Sequence, residues 1–163
     1  MAETRRDTVV FHSKQPNSAL DWKAVRHPIV TSVHWALLKF AGWFPSMRVR
    51  RVLLRATGMR VGKNVSIGLN AQFDIFFPEK IALEDHCIIG WEALILCHEF
   101  LEKEYRIGSV SIGTGAVVGA RSVVLPGVRV GDHAVVGAMS LVNKNVKEGE
   151  WVGGVPIRPL RKS

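Results

Sequence analysis

The stretch IGTGAVVGARSVVLPGVRVGDHAVVGAMSLVNKNV, residues 112–146, repeats itself every six residues. Each unit opens with an aliphatic residue and carries a small or aliphatic residue four places on. The openers are Ile112, Val118, Val124, Val130, Val136 and Val142, and the fifth positions are Ala116, Ser122, Val128, Ala134, Ser140 and Val146. A six-residue period is typical of a β-helix, in which three flat sides make one triangular coil. Stacked coils bury a column of aliphatic side chains, and no coil is stable alone.

The same repeat extends upstream with two interruptions. Earlier units open at Val61, Ile67, Phe73, Phe77, Leu83, Ile89 and Ile95, and the phase slips by four between Phe73 and Phe77. The second interruption, residues 99–111, is mostly polar and predicts a loop that projects from the coil. Long loops inside compact domains are uncommon and usually functional.

These features predict one domain with four parts. Residues 1–27 form a partly flexible tail, residues 28–60 a helical cap, residues 61–147 the β-helix with its inserted loop, and residues 148–163 a C-terminal segment. Two cysteines give no disulfide framework, and MAETRRDTVV contains no apolar signal region. We therefore expect a cytoplasmic protein, with a location peripheral to the inner membrane face as a second interpretation.

The charge is concentrated ahead of the coil. Residues 1–60 hold 11 Lys and Arg against 3 Asp and Glu, whereas residues 61–163 hold 11 of each. A helix after Ser46 carries Arg48, Arg51 and Arg55 on one face. It is interpreted as a cap with a solvated basic face, and the alternative is weak contact with an anionic membrane through Trp35, Trp43 and Phe44. No nucleic-acid-binding module is apparent.

The repeat, together with VVGARSVVLPGVRVGDHAVVGAMSLVNKNV and the later GGVPIRPLR, resembles the hexapeptide-repeat acyltransferases, in particular the galactoside and maltose O-acetyltransferase branch. The resemblance implies an all-β, left-handed parallel β-helix with an N-terminal helical segment. It also implies a homotrimer with active sites between subunits, and acetyl-CoA as the acyl donor, without a metal. The expected reaction is acetyl transfer to a hydroxyl of a sugar or related small molecule.

His98 is the candidate general base. It stands at the end of a coil, immediately before the projecting loop in ILCHEFLEKEYR, where the resemblance places the catalytic histidine. Transfer from a thioester to a hydroxyl requires removal of the hydroxyl proton, and imidazole is suited to this at neutral pH. Glu99 and Glu104 are nearby candidates for orienting the ring, and the sequence does not choose between them. Cys97 should face inward, which favours direct transfer over an acyl-enzyme.

The resemblance also suggests ligand-binding residues. The pantetheine arm of coenzyme A is expected along a groove beside small residues, and its phosphates near basic ones: Gly119, Ala120, Gly137, Ala138, Lys144, Arg158 and Arg161. The backbone N–H of Ala120 is the expected donor to the developing oxyanion. Asp74 is the predicted acceptor-binding residue, with the alternative that it simply occupies a corner usually given to glycine.

Two other classes of function are weighed against the acyltransferase. A γ-type carbonic anhydrase-like metalloenzyme would use the same coil with a zinc site of three histidines, but no closely spaced histidine pair is present. A noncatalytic β-helix used for binding or scaffolding would show no affinity for coenzyme A.

Overall fold

A computed structural model describes residues 6–160. Three parallel sheets form the sides of a triangular coil, and neighbouring strands of each sheet come from successive turns. Sheet A contains β2 (Arg60–Val61), β5 (Ile81–Leu83), β10 (Val110–Ile112) and β13 (Arg129–Val130). Sheet B contains β3 (Ser66–Ile67), β6 (Ile88–Ile89), β11 (Val117–Val118), β14 (Val135–Val136), β16 (Trp151–Gly153) and the antiparallel β17 (Arg158–Pro159). Sheet C contains β4 (Gln72–Phe73), β7 (Leu94–Ile95), β12 (Val123–Val124) and β15 (Leu141–Val142).

The repeat openers line the core as the period predicts. All thirteen openers are buried, and so are the fifth positions from Ala116 to Val146. The phase slip between Phe73 and Phe77 is followed by a short 3-10 turn, Pro78–Lys80. The coil continues past residue 147, because β16 pairs in parallel with β14, so the predicted C-terminal segment begins inside the last turn.

Each corner combines two backbone requirements. The sharp bend falls at the fourth position of a unit, where Asn70, His86 and Arg121 adopt positive φ. Glycine at the second position serves close approach instead, since a Cβ on Gly119 would lie 2.5 Å from the backbone nitrogen of Ala138. Successive coils therefore touch backbone to backbone at these corners.

Three helices precede the coil: α1 (Trp22–Val25), α2 (Pro28–Trp43) and α3 (Met47–Ala56). Three of the four arginines of α3 reach the first coil, and Arg48 is exposed. Arg51 donates to the carbonyl of Val65 at 3.2 Å and Arg55 to that of Val61 at 2.9 Å, while Arg50 is buried and bonds to the carbonyls of Phe44 and Ile67. The expectation of a solvated basic face holds for Arg48, whereas Arg51 and Arg55 bond to the open end of the coil, which presents carbonyls that guanidinium groups satisfy. None of the helices in the described residues is both long enough and apolar enough to cross a bilayer.

The N-terminal segment and the inserted loop form a separate antiparallel sheet. The loop is a hairpin of β8 (His98–Phe100) and β9 (Glu104–Ile107), and β1 (Val9–His12) pairs with β9. Residues 9–12 are therefore a strand within what was predicted to be a tail. A hairpin alone is marginally stable, and a third strand provides a firmer support for the segment that begins at His98.

Candidate active site

A buried carboxylate and an imidazole form the centre of the site. The Asp74 carboxylate Oδ2 lies 2.5 Å from Nδ1 of His98, and the Asp74 side chain has no exposed surface. Asp74 follows β4, and His98 follows β7 in the next turn of sheet C. The two residues thus meet at the corner where sheet C gives way to sheet A, which we call the C–A corner.

The Asp74 carboxylate also accepts four backbone N–H bonds. Oδ1 accepts from Phe76 and Phe77 at 2.8 and 2.9 Å, and Oδ2 accepts from Cys97 and His98 at 2.7 and 3.0 Å. Burial by itself opposes ionisation of this carboxyl. The hydrogen bond and charge of His98, with the N–H groups of Phe77 and Cys97, outweigh burial and hold the pKa of Asp74 below its ordinary value.

The prediction that Asp74 binds the acceptor is therefore wrong. Its oxygens are buried and engaged, so they offer nothing to an external hydroxyl. Asp74 does occupy the second position of a unit, where other corners carry glycine, as the alternative proposed. Here the side chain makes the contact with the backbone of the next coil, whereas at the glycine corners the backbones approach each other directly.

Asp74 is also the carboxylate that orients the His98 ring. An ionised carboxylate can only accept, so His98 donates Nδ1–H and its Nε2 keeps a free lone pair. Glu99 instead pairs with Arg6 at 2.9 Å, and Glu104 with Arg106 at 2.6 Å. Neither predicted glutamate contacts the His98 ring. The one sequence signal for this role of Asp74 is an acidic residue at the second position of a repeat unit, which is often glycine.

Aromatic rings enclose His98. Its side chain is 16% exposed, and its ring centroid lies 4.7 Å from that of Phe76 and 5.0 Å from that of Phe100, both edge to face. The Phe100 ring in turn contacts the ring of Tyr105, with 5.9 Å between centroids. The Tyr105 ring stacks on that of Phe11 in β1, with 5.0 Å between centroids. The N-terminal strand therefore supports the wall of the site, a contribution that sequence patterns did not reveal.

Cys97 is buried beside the dyad. Burial, reinforced by the Asp74 charge, raises the pKa of its thiol well above the ordinary value, so the thiolate needed for nucleophilic attack is disfavoured. The inward orientation predicted for Cys97 is confirmed. Burial likewise raises the pKa of the Cys87 thiol, to about 12.

The residues predicted to bind coenzyme A fall into two groups. Gly119, Ala120, Gly137 and Ala138 lie at the corner between sheets B and C, called here the B–C corner. Lys144 follows β15 at the C–A corner, on the same edge as His98. Arg158 is exposed on β17, and Arg161 lies outside the described residues.

His98 and Ala120 are separated within one chain. They stand at opposite ends of the side that contains sheet C, which for a six-residue side is on the order of 15 Å. Ala120 nevertheless has the expected donor: among residues 6–160 its backbone N–H has no acceptor, whereas the N–H groups of Gly119 and Arg121 bond to Val136 and Trp91. One chain therefore holds both halves of a site without bringing them together.

Two other features bear on binding. A cavity of about 380 Å³ lies between α2 and sheet C, lined in part by Trp35, Gln72 and Arg121, and His98 does not border it. Within residues 6–160, no group of three or more His, Cys, Asp or Glu side chains is arranged to hold a metal ion. His86 and His133 lie exposed at the third corner, away from His98.

Comparison with known proteins identifies the family. Residues 109–144 match the bacterial transferase hexapeptide family (six repeats). Over 126 residues, 77% of this chain and 73% of the relative, the sequence is 44% identical to YvoF of Bacillus subtilis (strain 168), to which acetyltransferase activity is ascribed.

Solved structures show the same fold. The hexapeptide-repeat acetyltransferase VCA0836 of Vibrio cholerae matches with a TM-score of 0.64 at 21% identity, over 90% of this chain and 94% of that one. A galactoside acetyltransferase in complex with coenzyme A matches with a TM-score of 0.62 at 18% identity, over 94% of this chain and 86% of that one. The chain belongs to the hexapeptide-repeat acyltransferase family, as an acetyltransferase with the left-handed parallel β-helix fold.

Replacing Asp74 by Asn should destabilise the protein in a pH-dependent way. At pH 7 the Asp74→Asn change should lower the free energy of unfolding by about 1–3 kcal/mol, because an amide turns a donor towards buried N–H groups. Since folding lowers the pKa of Asp74, its stabilisation is complete above the ordinary value of about 3.9 and is lost as pH falls through the folded value. Urea unfolding at fixed protein concentration, from pH 7 to pH 3, measures both effects.

Asp85→Asn is the matched control, because Asp85 also accepts a backbone N–H from a neighbouring coil, that of Lys63 at 2.7 Å, but near the surface. We expect its stability to follow the wild type closely. A difference between wild type and Asp74→Asn that stays constant down to pH 3 would contradict the ionised, buried carboxylate.

Proposed function

We propose that this acetyltransferase transfers the acetyl group of acetyl-CoA to a hydroxyl of a sugar or related small molecule, with His98 as general base. The observation that carries the proposal is the 2.5 Å contact between Asp74 and Nδ1 of His98. It leaves Nε2 as the proton acceptor, at the partly exposed side of a ring enclosed by aromatic walls. The galactoside acetyltransferase seen with coenzyme A supports both the donor and the sugar class.

The proposed reaction proceeds by direct transfer. Nε2 of His98 takes the proton of the acceptor hydroxyl as its oxygen attacks the thioester carbonyl carbon. The C–S bond of the resulting tetrahedral intermediate then breaks, and the coenzyme A sulfur leaves with the proton held by His98. Asp74 stays ionised and stabilises the imidazolium that exists between these two steps.

The proposed oxyanion donor is the backbone N–H of Ala120. Its lack of an acceptor in the described chain supports this role, since a donor fixed in advance costs no reorganisation during the reaction. The groove along Gly119, Ala120, Gly137 and Ala138 is proposed to bind the pantetheine arm. Lys144, Arg158 and Arg161 are proposed to bind the phosphates, for which cations are suited.

The proposed assembly is a homotrimer that joins the two corners. Because His98 and Ala120 lie far apart in one chain, a neighbouring copy has to bring its B–C corner to this C–A corner. The outward residues of two sides support such contacts, since after the polar Ser66 and Gln72 of the first strands they are apolar: Ile88, Val117, Val135 and Trp151 on sheet B, and Leu94, Val123 and Leu141 on sheet C. Sheet A instead presents Arg60, Ser111 and Arg129.

The reducing cytoplasm is the proposed location, compatible with two free buried thiols.

Removing the imidazole should abolish most of the transfer. With acetyl-CoA and a panel of pyranosides, His98→Ala should reduce kcat for thiol release by a factor of at least about 100, the usual contribution of a general base. His86→Ala is the matched control, because His86 is an exposed corner histidine of the same coil, and its rate should equal that of the wild type. Equal rates for His98→Ala and wild type would remove His98 from the mechanism. Absence of coenzyme A binding by the wild-type protein would instead indicate a noncatalytic scaffold.

Mixed trimers should reveal whether two chains share a site. Ala120→Trp should block the donor groove, and the fold should tolerate it because Trp91 occupies the same corner position one coil earlier. Trimers containing both His98→Ala and Ala120→Trp chains, isolated with two affinity tags, should recover about one third of the wild-type rate, since one site of three is then intact. Activity no higher than that of either parent would place both residues in the same chain's site.

A further inference from the structure

Helix α2 has two apolar faces, and only one of them is covered. Thr31, His34, Leu38 and Ala41 are buried against the rest of the molecule. The opposite face carries a second apolar row, which we call the α2 stripe: Ile29, Val33, Ala36, Phe40 and Trp43. At 100° per residue these five side chains fall within an arc of about 80°.

The α2 stripe is strongly exposed. Ile29 is 68% exposed and Trp43 is 74% exposed, and Val33 and Phe40 are each about half exposed. The stripe runs from Ile29 to Trp43, fourteen helical steps that span about 21 Å at 1.5 Å per residue. Continuous apolar surface of this kind marks an interaction site, unlike single scattered hydrophobic residues.

The charge around the stripe indicates what covers it. Residues 22–73 contain nine Lys and Arg and no Asp or Glu. Lys39 is exposed beside the stripe, and Arg48 is exposed in the first turn of the following helix. Within residues 6–160 neither of these two cations forms an ion pair. A second copy that docked its own stripe here would bring these unpaired cations close to their own copies, which like-charge repulsion opposes. An anionic surface is complementary.

We propose that the α2 stripe binds the interface of an anionic lipid bilayer, with the helix lying parallel to the membrane plane. Ile29, Val33 and Phe40 enter the boundary between headgroups and acyl chains. Trp43 has the amphipathic ring that favours this depth, and Lys39 and Arg48 attract the acidic headgroups. The buried face of α2 stays packed on the protein, so the helix lies on the membrane and does not cross it.

Vesicle flotation of the full-length protein tests the proposal. Vesicles of phosphatidylcholine with 30% phosphatidylglycerol should bind the wild type at least about tenfold more tightly than vesicles of phosphatidylcholine alone. Adding 0.5 M NaCl should weaken binding to the anionic vesicles at least about fivefold, because salt screens the few surface cations that attract the headgroups. The double variant Phe40→Ser/Trp43→Ser should lose at least about tenfold in affinity for the anionic vesicles. Arg48→Glu should weaken binding about fivefold without altering the apolar stripe.

Val10→Ser is the matched control, because Val10 is an exposed apolar residue on β1, outside the helical cap. It should bind anionic vesicles as the wild type does. All variants should keep their thiol release with acetyl-CoA and a soluble acceptor, so loss of membrane binding is distinguished from failure of the catalytic proposal. Circular dichroism and thermal melting confirm that each variant is folded.

Three results would overturn the proposal. The first is wild-type binding that is no stronger to anionic than to neutral vesicles. The second is unchanged binding by the folded double variant. The third is a smaller sedimenting species for the double variant, which would show that the α2 stripe is covered by another copy of the chain.

Discussion

The ionised carboxylate of Asp74, buried without exposed surface, is the constraint on which the catalytic site depends. A buried charge is tolerated only when hydrogen bonds replace its hydration, and here four backbone N–H groups and one imidazole do so. Those donors come from two successive turns of the coil. The same interaction that satisfies the charge therefore fixes the relative position of the two turns and the orientation of His98.

The repeat itself made most of the fold predictable. A six-residue period dictates which side chains point inward, and each predicted opener is buried. His98 was predictable as a candidate because it precedes an interruption of the period. The role of Asp74 was not, because its partners lie 23 and 24 residues away and depend on how coils stack after the phase slip at Phe73. Periodicity within a strand contains no information about such contacts between turns.

The helical cap shows a second limit of pattern analysis. Val49, Val52 and Leu53 have the spacing of one helical face, which by itself predicts an apolar inner face for α3. Arg50 and Leu54 are instead its buried residues, and Val52 is exposed. Helical periodicity predicts the inner face only when the surface beneath is apolar. Here the first coil ends in free carbonyls, and arginine satisfies these better than valine does. Leu54 and part of α2 still pack on the core, and the apolar residues that remain exposed on α2 are those proposed to bind a membrane.

The tautomer of His98 shows whether the buried Asp74 carboxylate accepts a hydrogen bond from the ring. Nitrogen-15 NMR of histidine-labelled protein at neutral pH, with the His98 signals assigned by comparison with His98→Ala, distinguishes a protonated Nδ1 from a protonated Nε2. We expect the neutral ring to be protonated at Nδ1, with Nε2 free to accept a proton, and we expect Asp74→Asn to disturb this preference. A neutral ring protonated at Nε2 in the wild type would contradict it, because such a ring can neither donate to Asp74 nor act as the base.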